Sequence, residues 1–378
     1  MIVFLHNRYR TTGGEERVVE DLRWLVRERL GEPTELLARD SVGLSRARAA
    51  AGLLYGGLGA GQIAEAVERG KARVLHAHNL HPTLGWRALA AARAAGARTV
   101  LHLHQYRLVC AVGVCFTDGE QCTRCHGRNT LPGVLHNCRA NRAEAVSYAA
   151  ALSLWQRRLI DQVDAFIVPS VFARERLRAL GAKLPEQRVH VLAPPLRALA
   201  HADGSEPPAS SDHPYALIAA RLSPEKGVDV AITACRIAGI PLIVAGEGPQ
   251  LEQLRRQAAG SDVRFLGRVD EPQLERLRRG AAIALAPSRS AETFGIAAAE
   301  AMAAGVPVAG SDIGALAELI DSDGLAPPGD GAALADAIKR VLAASGAGEA
   351  ARARVARLCA PDRVASELAA VYAGRAST

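Results

Sequence analysis

The chain has 378 residues, of which 49% are hydrophobic and 22% charged, an ordinary soluble balance with room for two domains. Aromatics are only 4%, so the cores must be built from Ala, Leu, Val and Ile, and no run of about 18 uncharged apolar residues is present to span a bilayer. Lys and Arg exceed Asp and Glu by 7; such a balance suits anionic small ligands, an acidic membrane surface or nucleic acid and does not choose among them.

Met1–His6 carries no basic stretch ahead of its apolar run, and the run is too short for a signal peptide, so a cytoplasmic protein is expected. Short β-branched apolar runs then alternate with amphipathic stretches, the pattern of parallel sheets flanked by helices. The first half predicts strands at Ile2–Leu5, Arg73–His76, Thr99–Leu103, Ala165–Val168 and Val189–Leu192. A helix is predicted at Glu15–Leu30, with Val18, Val19, Leu22, Leu25 and Val26 on one face. Ala200–Pro214 is rich in Ser, Pro, Asp and Gly and reads as a linker. Beyond it, strands are predicted at Tyr215–Ala219, Pro241–Ala245, Val263–Leu266, Ala282–Ala286 and Pro307–Ala309, and a last helix at Pro361–Ala373. The architecture expected is α/β: two doubly wound domains, with ligand binding in the cleft at the carboxyl ends of the strands.

Several motifs carry chemistry. Gly13-Gly14, between the first strand and the first long helix, gives a side-chain-free approach to a helix N-terminus for a phosphate or sugar, or is simply a flexible turn. Arg221 and Lys226 follow the first strand of the second half directly and can grip a diphosphate from two sides; the plainer alternative is a surface ion pair with Glu225. Glu292 and Glu300 flank Phe294-Gly295-Ile296, whose amides open an Ala-rich helix as an anion site. Five helical residues cover about 7.5 Å, a span that suits a ligand with hydroxyls at both ends and a diphosphate between. His104 ends its strand, with His102 on the same side two positions earlier, and can hydrogen-bond a hexose hydroxyl. There is no G-x-x-x-x-G-K-[ST] and no complete dinucleotide fingerprint. Asp321-x-Asp323 lies in a Gly/Pro-rich loop and reads as a turn.

Together, Gly13-Gly14, His104-Gln105-Tyr106, Arg221…Lys226, Gly246-Glu247-Gly248-Pro249 and the E-x7-E of Glu292/Glu300 resemble family 4 retaining glycosyltransferases of the GT-B fold. That resemblance implies an amino-terminal acceptor domain over 1–199, a linker at 200–214, a nucleotide-sugar domain over 215–355 and a helix at 356–378 crossing back to the first domain. It implies that Arg221 and Lys226 bind the donor diphosphate. Glu292 and the amides of Phe294, Gly295 and Ile296 would hold the donor hexose, and Glu300 the ribose. Val269 would lie beside the base, UDP being expected over GDP, and His104 would contact the transferred sugar. The catalytic set is then His104, Glu292, Arg221 and Lys226, acting without a metal at the diphosphate. Many relatives carry Asp directly after the histidine where this chain has Gln105. The acceptor implied is a glycan, a lipid-linked molecule or a small aglycone, with membrane contact peripheral.

Five of the seven cysteines fall between Cys110 and Cys138. Thiols so spaced, with a C-x-x-C knuckle, suit a tetrahedral zinc site; an iron–sulfur cluster or disulfides are the alternatives. A subset of the same glycosyltransferases resembles this insertion, 105–140. The resemblance implies Cys110, Cys122, Cys125 and Cys138 as structural zinc ligands, with Cys115 spare and His126 or His136 as outside candidates. The competing functional readings are a sugar-nucleotide epimerase or hydrolase on the same fold, separated by product analysis with and without acceptor, and a zinc-containing nucleic-acid binder, which the poverty of aromatic stacking platforms opposes.

Overall fold

The structure is a computed structural model and describes residues 1–9, 13–200 and 214–375; the predicted linker lies, apart from its ends, outside the described residues. The chain forms two compact units. The first comprises Met1–Thr117, Cys122–Pro195 and Pro361–Thr378, the second Asp118–Gln121 and Leu196–Ala360. The division thus falls at 195/196 rather than 199. The return to the first unit is at Pro361 rather than 356, because 356–359 still belong to a helix of the second unit.

In chain order the first unit contains β1 (Ile2–Arg8), α1 (Gly14–Leu30), β2 (Thr34–Asp40), α2 (Arg46–Tyr55), α3 (Ala60–Arg69), β3 (Val74–Ala77), α4 (Gly85–Ala94) and β4 (Arg98–His102). After the short strand β5 (Phe116–Thr117), and past β6 (Glu120–Gln121), which belongs to the second unit, come α5 (Leu131–Leu135), α6 (Arg142–Asp161), β7 (Ala165–Val168), α7 (Val171–Ala179) and β8 (Val189–Val191). Its sheet is parallel, in the order β2-β1-β3-β4-β7-β8. The order reverses between β1 and β3, the switch point outside which α/β sheets bind ligands. β1, β3 and β7 are buried along nearly all their length, as strands covered on both faces must be. α1 buries Val18, Val19, Leu22, Leu25 and Val26, places Glu15 and Glu16 in its first turn, and stops at Gly31 with φ 64°, a left-handed conformation that glycine adopts without strain.

The second unit contains β9 (Ala216–Ala219), α8 (Val228–Ala238), β10 (Leu242–Ala245), α9 (Leu251–Gln257), β11 (Val263–Gly267), α10 (Glu271–Gly280), β12 (Ile283–Ala286) and α11 (Ile296–Ala303). It continues with β13 (Val308–Ser311), α12 (Leu316–Leu319), β14 (Leu325–Ala326), α13 (Gly331–Ala343) and α14 (Ala347–Cys359). Its parallel sheet runs β11-β10-β9-β12-β13-β14, so the reversal lies between β9 and β12. The loops leaving those two strands are Ala220–Gly227 and Pro287–Gly295, the two stretches singled out by sequence. The last helix, α15 (Pro361–Tyr372), packs against α1 in the first unit. Arg29 Nε meets Asp362 at 2.7 Å and Arg98 donates to the Val371 carbonyl at 3.1 Å.

Gly246 holds β10 against the β9 loop. Its φ is 151°, and a Cβ there would sit 1.9 Å from the Ala220 carbonyl oxygen. Gly239 also has positive φ, 71°, but has nothing within 4 Å. Gly246→Ala is therefore expected to cost about 2–4 kcal/mol, a backbone collision added to the strain, and Gly239→Ala only about 1 kcal/mol. Chemical denaturation of the two variants checks this; equal losses would refute the close approach as the cause.

Candidate active site

In the second unit, the site grows from the switch point. Lys226, in the turn that opens α8, donates from Nζ to Glu292 Oε1 at 2.8 Å, so the β9 and β12 loops are joined by one ion pair. Ser288 Oγ also hydrogen-bonds Glu292. Burial disfavours the Glu292 charge, but the Lys226 ammonium and the bonds from Lys226 and Ser288 outweigh it and hold the carboxyl below its usual value. Arg221 pairs with Glu225 and donates from Nε to Ser223 Oγ at 3.2 Å. Glu225 is buried and also accepts from Ser223 Oγ at 2.7 Å. Its burial opposes ionisation, while Ser223 and Arg221 keep it ionised. The Glu225 pairing weighed from sequence is thus present. It anchors one edge of a guanidinium whose side chain remains 55% exposed, and does not bury it. The Glu225 carbonyl in turn accepts the Arg289 amide at 2.8 Å, and Arg289 grips Asp229 with both terminal nitrogens at 2.9 and 2.6 Å. Loops fixed at this many points hold their charges in place before any ligand arrives.

α11 starts at Ile296 after Gly295, whose φ is 96° and whose absent Cβ would fall 2.5 Å from Leu316 Cδ2. Phe294 is buried beneath it. Glu300 lies one turn inside the helix, where Arg278, a buried arginine of α10, pairs with it. Arg278 also reaches Glu271 at 3.0 Å. Sequence alone gave no reason to select Arg278, which sits in a run of charges resembling a solvated face. Val269 is half-buried, two residues past the end of β11. Asp321 caps a single 3-10 turn and pairs with Arg354, so the D-x-D is a turn.

In the first unit, Gly13 precedes α1 in extended conformation, and its amide donates to Glu16 Oε2 at 2.8 Å. Glu16 also accepts the Tyr9 amide at 3.1 Å. The helix start expected to lie open to a phosphate is therefore partly closed by its own glutamate. Gln105, at the departure from the family pattern, accepts from Arg107 at 3.1 Å.

His104 is not alone. His76 on β3, His78 just past it, His102 on β4 and His104 form a stacked set. Centroids of His102 and His104 are 4.1 Å apart with planes 9° from parallel; His76 and His102 stand at 5.6 Å and 6°. His78 Nδ1 lies 2.7 Å from His104 Nε2, and His76 Nδ1 lies 2.8 Å from the Tyr372 hydroxyl of α15. Burial, then the neighbouring imidazoles, push all four well down: His76 to about 3, and His78, His102 and His104 in the same direction. They are neutral rings at physiological pH. The visible signal was the doubled H-x-H, Leu75-His76-Ala77-His78 and Leu101-His102-Leu103-His104, which period-two alternation puts on one face of adjacent strands.

Among the described residues, the group of histidine, cysteine or acidic side chains whose ligand atoms all lie within 4.8 Å of one another is His76, His78 and His102. Their planes are within 25° of parallel. In-plane lone pairs of stacked rings run side by side and do not converge, so this arrangement does not fit a metal. The five cysteines of the insertion line one cavity with His136, while the His126 ring packs against Gly181. A hydrogen bond from Cys115 lowers the Cys110 thiol to about 6, and raises Cys115 itself. Soft thiols facing one cavity, one of them acidified, match the donor chemistry of zinc. Among the described residues no three of these thiols have sulfur atoms within 4.8 Å of one another, as the ligand atoms of the three histidines are.

Residues 3–195 match the family described as Glycosyl transferase 4-like domain, and residues 203–356 that described as Glycosyl transferases group 1. Phosphatidyl-myo-inositol mannosyltransferase of Mycobacterium leprae (strain TN) is 40% identical over 130 residues, 32% of this chain and 34% of that protein. The chain thus matches about a third of the length of such curated relatives. Among solved structures, sucrose-phosphate synthase from Thermosynechococcus elongatus is similar with a TM-score of 0.70 at 19% identity, covering 98% of each chain. Anabaena HepE in complex with UDP and glucose is similar with a TM-score of 0.66 at 16% identity, covering 99% of each. These likenesses are of fold, and they are GT-B likenesses. With more than half of its length matched by a single family, the chain belongs to the glycosyl transferase 4-like family.

Proposed function

We propose that this protein is a glycosyltransferase that moves a hexose from a nucleotide-diphosphate sugar to a glycan, lipid-linked or small-molecule acceptor, with retained anomeric configuration and no metal at the diphosphate. The observation that carries this reading is the Lys226–Glu292 pair across the β9/β12 switch point. A diphosphate arriving there meets the Lys226 ammonium and the exposed edge of Arg221. Both cations stabilise the charge that develops on the leaving group, because they are already in place. Glu292, its carboxylate shared with Lys226, accepts from hexose hydroxyls, and the amides of Phe294, Gly295 and Ile296 add donors at the start of α11. Glu300, oriented by Arg278, takes the ribose hydroxyls, and Val269 flanks the base. His104 contributes a neutral imidazole to the transferred sugar.

Uracil is the first candidate base, as the UDP complex of HepE supports. A lipid-linked acceptor is supported by the mycobacterial relative, a phosphatidyl-myo-inositol mannosyltransferase. No helix among the described residues is long and apolar enough to cross a membrane, and contact with a membrane would then be peripheral. The insertion is assigned a structural zinc held by Cys110, Cys122, Cys125 and Cys138, with Cys115 or His136 as alternates.

A melting-point screen over UDP, GDP and their sugars tests the donor. Stabilisation by a guanosine donor alone would change the base, and none by any nucleotide would overturn the site. Transfer is expected to persist in excess chelator, while metal analysis of protein purified under reducing conditions finds one zinc. Complete loss in chelator, restored by Mg²⁺ or Mn²⁺, would refute the metal-free diphosphate site. Absence of any bound metal would refute the zinc. Products formed without an acceptor would mark an epimerase or hydrolase.

A further inference from the structure

We propose that His78 is a positioning residue that fixes His104 in the tautomer protonated at Nδ1. The two imidazoles share one hydrogen bond, His78 Nδ1 to His104 Nε2 at 2.7 Å. Two neutral rings can make it in only two ways. In one, His104 Nε2 carries the proton and His78 accepts; the proton of His78 must then sit on its Nε2. That atom is buried and has no hydrogen-bond partner, so this arrangement strands an N–H donor in the interior. In the other, His78 Nδ1 carries the proton and donates to His104 Nε2. Only a lone pair is then left at His78 Nε2, a lesser penalty than an orphaned donor. His104, accepting at Nε2, must hold its own proton at Nδ1.

The surroundings keep both rings neutral and in place. His78 is 3% exposed and stacks on His76 at 4.5 Å, on His102 at 5.4 Å and on Phe4 at 5.9 Å. His104 lies flat on His102. A positive ring in such a stack is disfavoured by burial and by the neighbouring imidazoles, so the bond joins two neutral rings. The Asn79 side chain, next in sequence, donates to the Asn7 carbonyl at 2.7 Å and pins the loop that carries His78.

The consequence for chemistry rests on the reading that His104 meets the transferred sugar: it then donates from Nδ1 to a sugar oxygen. The test separates that reading from the tautomer itself. Full-length protein labelled with ¹⁵N-histidine, at neutral pH and without ligand, reports which ring nitrogen is protonated, and His104→Gln assigns the signal. The expected result is His104 protonated at Nδ1. His104 protonated at Nε2 would overturn the proposal whatever the enzyme transfers. His78→Asn places an amide donor where Nδ1 stood and is expected to keep the Nδ1 tautomer. His78→Phe is expected to yield a mixture, with kcat/KM lower by roughly 10- to 100-fold, the loss of one oriented hydrogen bond, much of it recovered in His78→Asn. Should His78→Phe not fold, the wild-type spectrum and His78→Asn still decide. Full activity in His104→Gln with the Nδ1 tautomer present in wild type would sink the catalytic reading and leave the tautomer standing.

Discussion

Lys226→Met is expected to lower kcat/KM by about 10²–10³-fold, the loss seen when one preorganised charge or donor is removed from a developing anion. The side chain is unusual in serving two partners. Without ligand it neutralises Glu292 at 2.8 Å; in the proposed reaction it faces a diphosphate. Removing it therefore has a structural effect as well, because a carboxylate with 19% of its side chain exposed loses its cation. Breaking such a pair costs about 1–3 kcal/mol, toward the low end here since the lysine is itself 30% exposed. The two effects separate in the double variant. Lys226→Met with Glu292→Gln removes the unpaired charge, so the melting temperature should recover while transfer does not. Recovery of transfer in the double variant, or a single variant within threefold of wild type, would show that Lys226 only neutralises Glu292. Ionised Glu292 supplies stability above the ordinary carboxylate range, and this is lost as pH falls through its lowered folded value. In Lys226→Met only the Ser288 bond still opposes burial, so the stability that ionised Glu292 supplies above the carboxylate range is smaller in the variant.

The repeating parts of this fold were legible because they obey one rule. Strands buried on both faces read as apolar runs, and β1, β3, β4, β7, β8 and β9 to β13 stand within a few residues of where such runs lie. β2 escaped because it is an edge strand. Thr34, Glu35, Arg39 and Asp40 flank only Leu36, Leu37 and Ala38, and its residues are mostly half-buried, so no long apolar run marks it. β14 is two residues long and carries no period at all. The basic loop and the two glutamates were legible for a different reason: both follow strand ends, and in an open parallel sheet strand ends carry ligands. What escaped was pairing between distant segments. Nothing near Glu300 in sequence announces Arg278, 22 positions upstream, because an arginine in a charged helix looks alike whether it faces water or is folded inward. The histidine stack had the same obstacle. Each H-x-H is visible alone, but only the β3/β4 register, His76 beside Val100, brings the two pairs ring to ring. Gly13 shows the converse error, since a glycine pair before a helix suggests an open anion site until Glu16 is seen to turn back on it.

Mild acid is expected to unfold the first unit, with a midpoint between about pH 5 and pH 4, from a linkage that begins near the ordinary histidine pKa of about 6.5. His76 and His81 are each pushed down to about 3, by burial first, with His104 acting on His76 and the Arg107 and Arg139 guanidiniums on His81. Their folded values lie below the unfolded ones, so between the two the unfolded chain binds more protons and stability falls with pH. Each such group contributes a slope of about 1.4 kcal/mol per pH unit. These two alone give about 2.7 kcal/mol per unit, and His78, His102 and His104 act in the same direction. Against a typical total of about 5–15 kcal/mol, one to two pH units suffice. Carboxylates cannot produce this onset. Glu16 and Glu32, whose folded values are lowered, lose their contribution only below about 4.5, and Glu15, raised by burial, is stabilised by acid. All three tryptophans, Trp24, Trp86 and Trp155, lie in the first unit, so tryptophan fluorescence against pH follows that unit alone. His102→Leu isolates the cause, because neither His102 nitrogen has a partner and the substitution removes a titrating ring without breaking a bond. The variant should unfold at lower pH, with a slope smaller by about one proton. A wild-type midpoint below pH 3.5, or an unchanged midpoint in His102→Leu, would mean that the buried imidazoles do not set the acid limit of this fold.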